Sequence, residues 1–245
     1  MKKTLIAICS ITLLCHVHLV TAESIIDDTI PDSYNSVFQI ETPDADIENE
    51  IVTIKKGTEK FYWDNDNIKA EGSVKNGLKE GEWKIYYEGS EGKTIKSRGY
   101  YLHNKRNGQW INFYKNGKVR SKITYRNDEL YGPYYEFSEK SVPLCEIIYK
   151  KGKINGTFKE YYPDGMPKII SMYSNDKKHG TENLFYPNGK RFLIGKYNKG
   201  IRDGYWKFFH DNGRRKYAGY YRNGKKTGKW NIYDDNSKVI STEEF

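Results

Sequence analysis

The feature that most constrains the fold is a glycine that recurs at a nearly constant interval through most of the chain. It opens each of eight short aromatic segments, at Gly57, Gly81, Gly108, Gly132, Gly156, Gly180, Gly204 and Gly228. Six of the seven intervals are equal to the step from Gly132 to Gly156, and the one from Gly81 to Gly108 is longer by an insertion within Glu88 to Lys93. A fixed period of this length is typical of tandem structural repeats. We number the units repeat 1 to repeat 8 by these column glycines.

Two aromatic columns follow the same period. The residue five positions after each column glycine is always aromatic: Tyr62, Tyr86, Phe113, Phe137, Tyr161, Phe185, Phe209 and Tyr233. The residue seven positions before the next glycine is Val74, Tyr101, Tyr125, Tyr149, Tyr173, Tyr197 or Tyr221, and the same column continues at Phe245. Aromatic residues make up 15% of the chain, which is far above the level in disordered proteins. We expect the core to consist mainly of aromatic rings.

Each unit contains two short segments with strand character and two turn signals. The first strand reads Gly-x-Trp-x-x-Tyr or Phe, and Asn116-Gly117, Asp164-Gly165, Asn188-Gly189 and Asn212-Gly213 follow it in four repeats. These dipeptides predict type I′ hairpin turns, since both residues tolerate a positive φ. A second turn, such as Asn76-Gly77, Asn127-Asp128 or Asn223-Gly224, leads to the next glycine. The sequence therefore predicts an all-β fold, an elongated meander of stacked β-hairpin repeats with about eight units, each as long as the glycine period.

The second strand of each unit has one apolar face. Residues seven, nine and eleven positions before the next glycine share a face because side chains alternate along a strand, and none of these residues is charged. The residues between them include Glu71, Arg98 and Lys122. This alternation predicts a half-buried strand with rings packed over small residues. Cys145 belongs to the apolar set, so we expect an inert buried thiol.

These motifs resemble the MORN repeat, and more closely its bacterial variant with the unit Tyr-x-Asn-Gly-x-x-x-Gly-x-Trp-x-x-Tyr-Tyr-x-Asn-Gly. The matching segments here are YNKGIRDGYWKFFHDNG and YRNGKKTGKWNIYDDN, and the resemblance covers about residues 57–245. It implies stacked β-hairpins and a binding role, often as the immunity or antitoxin partner of a toxin (the YwqK type). Two units depart from the pattern, with Glu182 at the Trp position and Glu139-Lys140 at the Asn-Gly position. Choline- or glucan-binding repeats of cell-wall proteins are an alternative that fits the spacing less well.

Residues 1–56 differ from the repeats. Residues 1–22 have a charged start, an apolar stretch from Leu5 to Leu14 and small residues before Ala22, which predicts a signal peptide and a secreted, periplasmic or extracellular protein. Residues 23–56 form an acidic segment with nine acids and two bases, a net charge of −7, whereas residues 57–245 have 37 bases and 23 acids, a net of +14. The predicted domains are therefore 1–22, 23–56 and the repeat domain 57–245.

Signals for catalysis are absent from the sequence. The three histidines after the predicted signal peptide, His103, His179 and His210, lie at different positions of different repeats. No metal-ligand spacing, nucleophile elbow or phosphate-binding loop is present. We therefore expect a protein without enzymatic activity, metal or cofactor.

Two surface features are candidate binding sites. The first is a predicted basic ridge formed by the turns between repeats, with fifteen bases against five acids: Lys75, Lys79, Lys105, Arg106, Arg126, Lys150, Lys151, Lys153, Lys177, Lys178, Lys199, Arg202, Arg222, Lys225 and Lys226. The second is the Trp column, two positions after each column glycine from Gly81 onward: Trp83, Trp110, Tyr134, Phe158, Glu182, Trp206 and Trp230. Because an unpaired Glu is rarely buried, Glu182 predicts partial exposure of this column. The alternative to a binding role is that the rings of the Trp column only pack on the neighbouring hairpin.

Three functions remain open on the sequence alone. The first is a secreted protein that binds a partner protein, such as an acidic toxin that it neutralises. The second is an envelope module that binds an anionic lipid or glycan through the ridge and the Trp column. The third is a structural spacer without a specific ligand. A secreted location argues against nucleic acid as the partner.

Overall fold

The computed structural model of the protein describes residues 30–34, 40, 47 and 50–245. A short 3-10 turn spans Asp32–Tyr34, and the rest of the regular structure is a single sheet of seventeen strands. The predicted signal peptide lies outside the described residues, and the acidic segment is described only in part. The strands are β1 Lys56–Tyr62, β2 Ile68–Lys75, β3 Leu78–Tyr86, β4 Ile95–Leu102, β5 Lys105–Arg106, β6 Gly108–Phe113, β7 Val119–Arg126, β8 Glu129–Phe137, β9 Pro143–Lys150, β10 Lys153–Tyr161, β11 Pro167–Ser174, β12 Lys177–Phe185, β13 Arg191–Asn198, β14 Ile201–Phe209, β15 Arg215–Arg222, β16 Lys225–Tyr233 and β17 Val239–Glu244.

The strands form an antiparallel meander in which each strand pairs with its neighbours along the chain. Strands β5 and β6 both pair with β4 and are two parts of one strand interrupted at Asn107. One hairpin therefore corresponds to one repeat, and the predicted all-β stack of hairpins is confirmed. Contacts run between adjacent hairpins, as in other solenoid-like repeat proteins.

The column glycines adopt a backbone conformation that other residues avoid. All eight have φ between 61° and 133°, and the pairing register with the preceding strand shifts beside them, for example between Gly72 and Val74 of β2 opposite β3. A bulge of this kind bends the strand and increases its twist. Glycine recurs here because a Cβ would make this conformation unfavourable.

The two sets of turns differ in type, and the predicted assignment was wrong for one of them. Asn116 does not have a positive φ, Gly117 does, and the Gly117 N–H donates to the Tyr114 carbonyl at 2.9 Å. The hairpin loop has three residues, one more than a type I′ turn, and it forms a type I turn followed by a glycine bulge. The turns between repeats are the type I′ turns: both Asn76 (φ 55°) and Gly77 (φ 75°) have a positive φ, and their flanking residues pair directly.

The apolar face of the sheet is buried as predicted. Tyr101, Tyr125 and Tyr221 are each less than 5% exposed, and Ile147 and Leu193, from the two neighbouring columns, are fully buried. The rings contact one another edge to face along the array, for example Trp83 with Tyr101 at 5.9 Å and Tyr101 with Trp110 at 5.2 Å. This inner face is the hydrophobic core of the repeat domain.

Candidate functional site

The Trp column belongs to the core, and the expected partial exposure is wrong. Trp83, Trp110, Trp206 and Trp230 have no exposed surface, and Tyr134 is 3% exposed. Three of the indole N–H groups donate to the backbone of the preceding strand, for example Trp83 Nε1 to the Ser73 carbonyl at 3.0 Å. A ring without accessible surface offers no contact to a ligand, so these residues act as packing residues.

Each indole lies directly on a glycine of the adjacent strand. A Cβ placed on Gly72 would be 2.2 Å from Cδ2 of Trp83, and the same holds for Gly99 beneath Trp110. Where this position is Ile, the ring is smaller: Ile123 pairs with Tyr134, and Ile147 pairs with Phe158. The two positions are therefore complementary in volume, as expected for a close-packed core.

Glu182 is buried because Ser171 and Lys178 provide polar partners for its carboxylate. It pairs with Ser171, whose hydroxyl donates to Glu182 Oε1 at 2.9 Å, and Lys178 forms an ion pair with the same oxygen. The other oxygen, Oε2, is buried without a hydrogen-bond partner among the described residues. An ion pair thus occupies the position that an indole fills in other repeats.

Five bases of the predicted ridge point onto rings or carboxylates of the array, and this part of the prediction is wrong. They lie two positions before a column glycine: Lys79, Arg106, Lys178, Arg202 and Lys226. Lys226 Nζ lies 5.2 Å from the centre of the Trp230 ring, and the Arg202 guanidinium lies 4.9 Å from that of Trp206. Lys79 is 6% exposed and lies against Phe61, Trp83 and Tyr101. Cation–π contact explains why a base accompanies an indole here.

The other ten bases are exposed and form what we call the exposed ridge: Lys75, Lys105, Arg126, Lys150, Lys151, Lys153, Lys177, Lys199, Arg222 and Lys225. Lys150 lies directly opposite Lys153, with Lys151 in the turn between them, and Arg222 lies opposite Lys225. Like charges opposite each other destabilise a sheet. Like charges oppose each other at two of the seven turns between repeats, and every one of these turns carries at least one exposed base. The exposed ridge is therefore a candidate functional feature.

The outer face of the sheet carries an apolar stripe that the sequence pattern did not predict. It lies beside the exposed ridge, eight positions before the column glycines. The members of this outer stripe are Tyr100, Ile148, Met172 and Tyr220, which are 36% to 55% exposed. Ser73, Thr124 and Lys196 stand at the same position in the other repeats and interrupt the stripe. These residues lie between the inner columns in the sequence, so the alternation of side chains along a strand places them on the outer face. Exposed aromatic and apolar side chains beside charged ones are typical of protein-binding surfaces.

A tyrosine ladder runs along the opposite edge, beside the hairpin turns. Its members lie six positions after the column glycine, and each hydroxyl donates to a backbone oxygen of the next repeat. The four bonds are Tyr87 to Phe113, Tyr114 to Phe137, Tyr162 to Phe185 and Tyr186 to Phe209, at 2.7 to 2.8 Å. The ladder ties adjacent hairpins together through polar groups.

Further observations concern reactive groups and membrane-spanning segments. Cys145 is a free, fully buried cysteine, and burial raises the pKa of its thiol well above the ordinary value, which is the property of an inert thiol. Across the described residues, no group of three His, Cys, Asp or Glu side chains is arranged to ligate a metal ion. No helix in the part of the chain that the structure describes is long and apolar enough to cross a membrane.

The stacked hairpins, the buried aromatic face and the constant glycine period define an all-β tandem-repeat protein. The model of the MORN repeat variant matches the chain four times, at residues 55–76, 106–127, 154–175 and 202–223. The chain therefore belongs to the MORN repeat variant family, as the sequence motifs predicted.

Other comparisons give little. No curated protein matches the sequence. One similar solved structure is the Glycosylation Associate Protein (Gap123) complex from Streptococcus agalactiae, with 18% identity, a TM-score of 0.27, and coverage of 43% of this chain and 19% of that one. Another is the GtfA/B complex bound to UDP and GlcNAc, with 12% identity, a TM-score of 0.17, and coverage of 61% and 26%. This chain thus spans only about a fifth to a quarter of those chains, and neither likeness bears on its function.

Proposed function

We propose that the protein is a non-catalytic scaffold that binds an acidic partner protein along its outer face. The observation that carries this proposal is the juxtaposition of the outer stripe and the exposed ridge. The stripe offers Tyr100, Met172 and Tyr220 as apolar anchors, and exposed aromatic residues dominate the binding energy of many interfaces. The ridge supplies positive charge at the rim, which favours an acidic partner and speeds its association.

The family resemblance supports a more specific role, that of a secreted immunity or antitoxin protein. In this proposal the partner is a toxin, and the signal peptide delivers the protein to the compartment where the toxin acts. The type I′ turns hold the ridge in a fixed register, so charges at equivalent positions of successive repeats are presented at a constant interval.

Co-expression with the products of the neighbouring genes tests this function. We expect one of them to co-purify at low salt, and the triple variant Lys150→Glu, Lys151→Glu and Lys153→Glu to weaken the complex about tenfold or more. The matched control is Lys118→Glu with Lys140→Glu, two exposed lysines in the hairpin turns of the opposite edge. If no neighbouring product binds and none is neutralised in growth assays, the antitoxin role is wrong.

A second candidate is an envelope module that binds an anionic lipid or glycan. The linear array of ten exposed bases favours it, but the Trp column contributes nothing because it is buried. Sedimentation with anionic vesicles or acidic glycans at low and high salt separates the two functions. Binding that the triple ridge variant abolishes, in a protein that captures no partner protein, would support this candidate over the first.

A further inference from the structure

The edge that carries the tyrosine ladder contains notches between consecutive repeats. The notch between repeats 5 and 6 lies between Tyr162 and Tyr186, and a residue from the N-terminal segment fills it. The Tyr34 hydroxyl donates to the Phe185 carbonyl at 2.8 Å and lies 3.1 Å from the Tyr162 hydroxyl. The Tyr34 ring stacks on Phe192, with ring centres 5.6 Å apart. The protein itself thus shows that a notch of this edge accommodates a tyrosine side chain from an acidic segment.

The notch between repeats 1 and 2 is the equivalent place four repeats earlier, and it is an open cavity of about 510 Å³. Trp63 and Tyr87 line it where Tyr162 and Tyr186 line the filled notch. Glu88 and Gly89 also line the cavity, and they belong to the insertion that lengthens repeat 2. A cavity of this size is within the range of ligand-binding sites.

The ladder is altered at this notch. Trp63 has no hydroxyl group, so it cannot make the bond to the next repeat that the tyrosines of the ladder make. Its indole N–H is buried without a hydrogen-bond partner among the described residues. A buried donor without a partner destabilises a fold. The ladder position also lacks Tyr at Ser138 and His210, but among the described ladder residues only Trp63 has a buried polar atom without a partner. Such a departure from a local rule is expected at functional sites. The acceptor that corresponds to the Phe185 carbonyl is the carbonyl of Tyr86.

The charge of the notch has also changed relative to the filled one. Lys96 lies at the position of Phe192, and Lys115 lies at the position of Asp211. Lys115 is exposed, and its Nζ is 5.6 Å from the centre of the Tyr87 ring. The open notch therefore combines two aromatic walls with two cations, and Glu88 is the one acid among the described residues of its lining.

We propose that the notch between repeats 1 and 2 binds a tyrosine side chain of an acidic peptide segment. The tyrosine ring lies against Trp63 and Tyr87, its hydroxyl donates to the Tyr86 carbonyl, and Lys96 and Lys115 contact the neighbouring carboxylates. This inference rests on the proposed function, because the acidic partner protein is the source of that segment. It adds a second contact on the edge opposite the exposed ridge.

A fluorescein-labelled peptide with one Tyr among Asp and Glu residues tests the proposal on the full-length protein by fluorescence anisotropy. We expect saturable binding, and binding about tenfold weaker when the Tyr of the peptide is replaced by Ala. Lys115→Asp, which reproduces the charge at the filled notch, should weaken the Tyr peptide by a similar factor. Lys118→Asp in the same hairpin turn is the matched control, since Lys118 is exposed and lies outside the notch.

The outcomes separate this inference from the proposed function. Equal affinities for the Tyr and Ala peptides, or equal effects of Lys115→Asp and Lys118→Asp, would overturn the notch as a tyrosine site. Loss of peptide binding in the triple ridge variant would assign the peptide to the ridge and also overturn the notch. If the Tyr peptide binds as expected while no acidic partner protein is captured, the notch stands and the proposed function fails.

Discussion

Repeats 2 and 6 fill the same place in the core with different chemistry. In repeat 2 the Trp83 indole lies on Gly72, and the Lys79 ammonium lies 5.5 Å from the ring centre. In repeat 6 the Glu182 carboxylate takes the place of the indole, with the Ser171 hydroxyl and the Lys178 ammonium as partners. In both cases a lysine stands two positions before the column glycine. The fold therefore requires three residues that match in volume and charge, at the positions of Gly72, Lys79 and Trp83. It does not require one particular residue type at each position.

The two sets differ in how they stabilise the sheet. The indole of repeat 2 removes a large apolar surface from water and attracts the ammonium through its ring. The ion pair of repeat 6 has to compensate for the desolvation of two charges, and such pairs are weak evidence for stability. Repeat 6 should therefore tolerate complete replacement of its set better than the loss of one member.

The largest effect is expected for Trp83→Ala. Removal of a fully buried indole leaves a cavity above Gly72, which should lower the free energy of unfolding by about 3–5 kcal/mol. Urea denaturation followed by circular dichroism measures this loss. Glu82→Ala, at the exposed neighbouring position of β3, is the control and should change it by less than about 0.5 kcal/mol.

Lys178→Ala should have the next largest effect. It leaves the Glu182 carboxylate buried without its ion-pair partner, which costs about 3 kcal/mol in comparable buried pairs. Adding Glu182→Gln removes the uncompensated charge and should recover part of the loss in the same urea assay. A double variant less stable than Lys178→Ala would show that the ion pair is not the source of the effect.

Transfer of the repeat 2 set into repeat 6 tests the matching of volumes. Glu182→Trp alone should destabilise the protein by about 1–3 kcal/mol, because the indole meets the Ser171 side chain. Adding Ser171→Gly makes room for the ring and should restore stability, since Lys178 is already in place for a cation–π contact. Additive effects of the two substitutions, determined by a double-mutant cycle, would argue against the matched set.

The smallest effect at neutral pH is expected for the tyrosines beside Glu182 in repeat 6, which contribute to an alkaline transition together with other buried tyrosines such as Tyr149 and Tyr186. Burial, together with the nearby Glu182 carboxylate, raises the pKa of Tyr173 and of Tyr197 from 10.0 to about 12. Because the pKa is higher in the folded state than in the unfolded state, this stabilisation is complete below pH 10 and is lost as the pH rises to about 12. Thermal unfolding between pH 9 and 12 measures it, and Tyr197→Phe should reduce the decline. An unchanged melting temperature over this range would contradict the assignment.

The sequence predicted the architecture because every repeat restates the same pattern. The column glycines, the aromatic columns and the alternation of the inner face each recur seven or eight times, so local irregularities did not hide them. The turn types were harder to assign, because Asn-Gly occurs at both edges of the sheet. The pairing register decides between a two-residue type I′ turn and a longer turn closed by a bulge, and the register depends on contacts between strands.

The candidate sites were less predictable. Glu182 alone predicts exposure of the Trp column, and this prediction is wrong because Lys178, four residues earlier, pairs with the Glu182 carboxylate and does not belong to the exposed ridge. The base at this position accompanies Trp or Glu, whereas Leu130 and Ile154 accompany Tyr134 and Phe158. This correlation in the sequence predicts a contact between the base and the residue of the Trp column. The notches could not be predicted from the sequence, because Tyr34 and Phe185 are 151 residues apart in the chain and only the folded structure brings them together.

The placement of each glycine beneath the ring of the following repeat has an evolutionary consequence. Gly72 and Trp83 lie on opposite sides of the boundary at Gly81, so the partners of one packing pair belong to different repeats. A duplication or recombination event that joined repeats at the column glycine could place Trp over Ile123, where the ring has no room. The segment that can be copied without disturbing the core starts at the residue beneath the ring. Gene rearrangements that preserve function should therefore have their breakpoints in the hairpin turns.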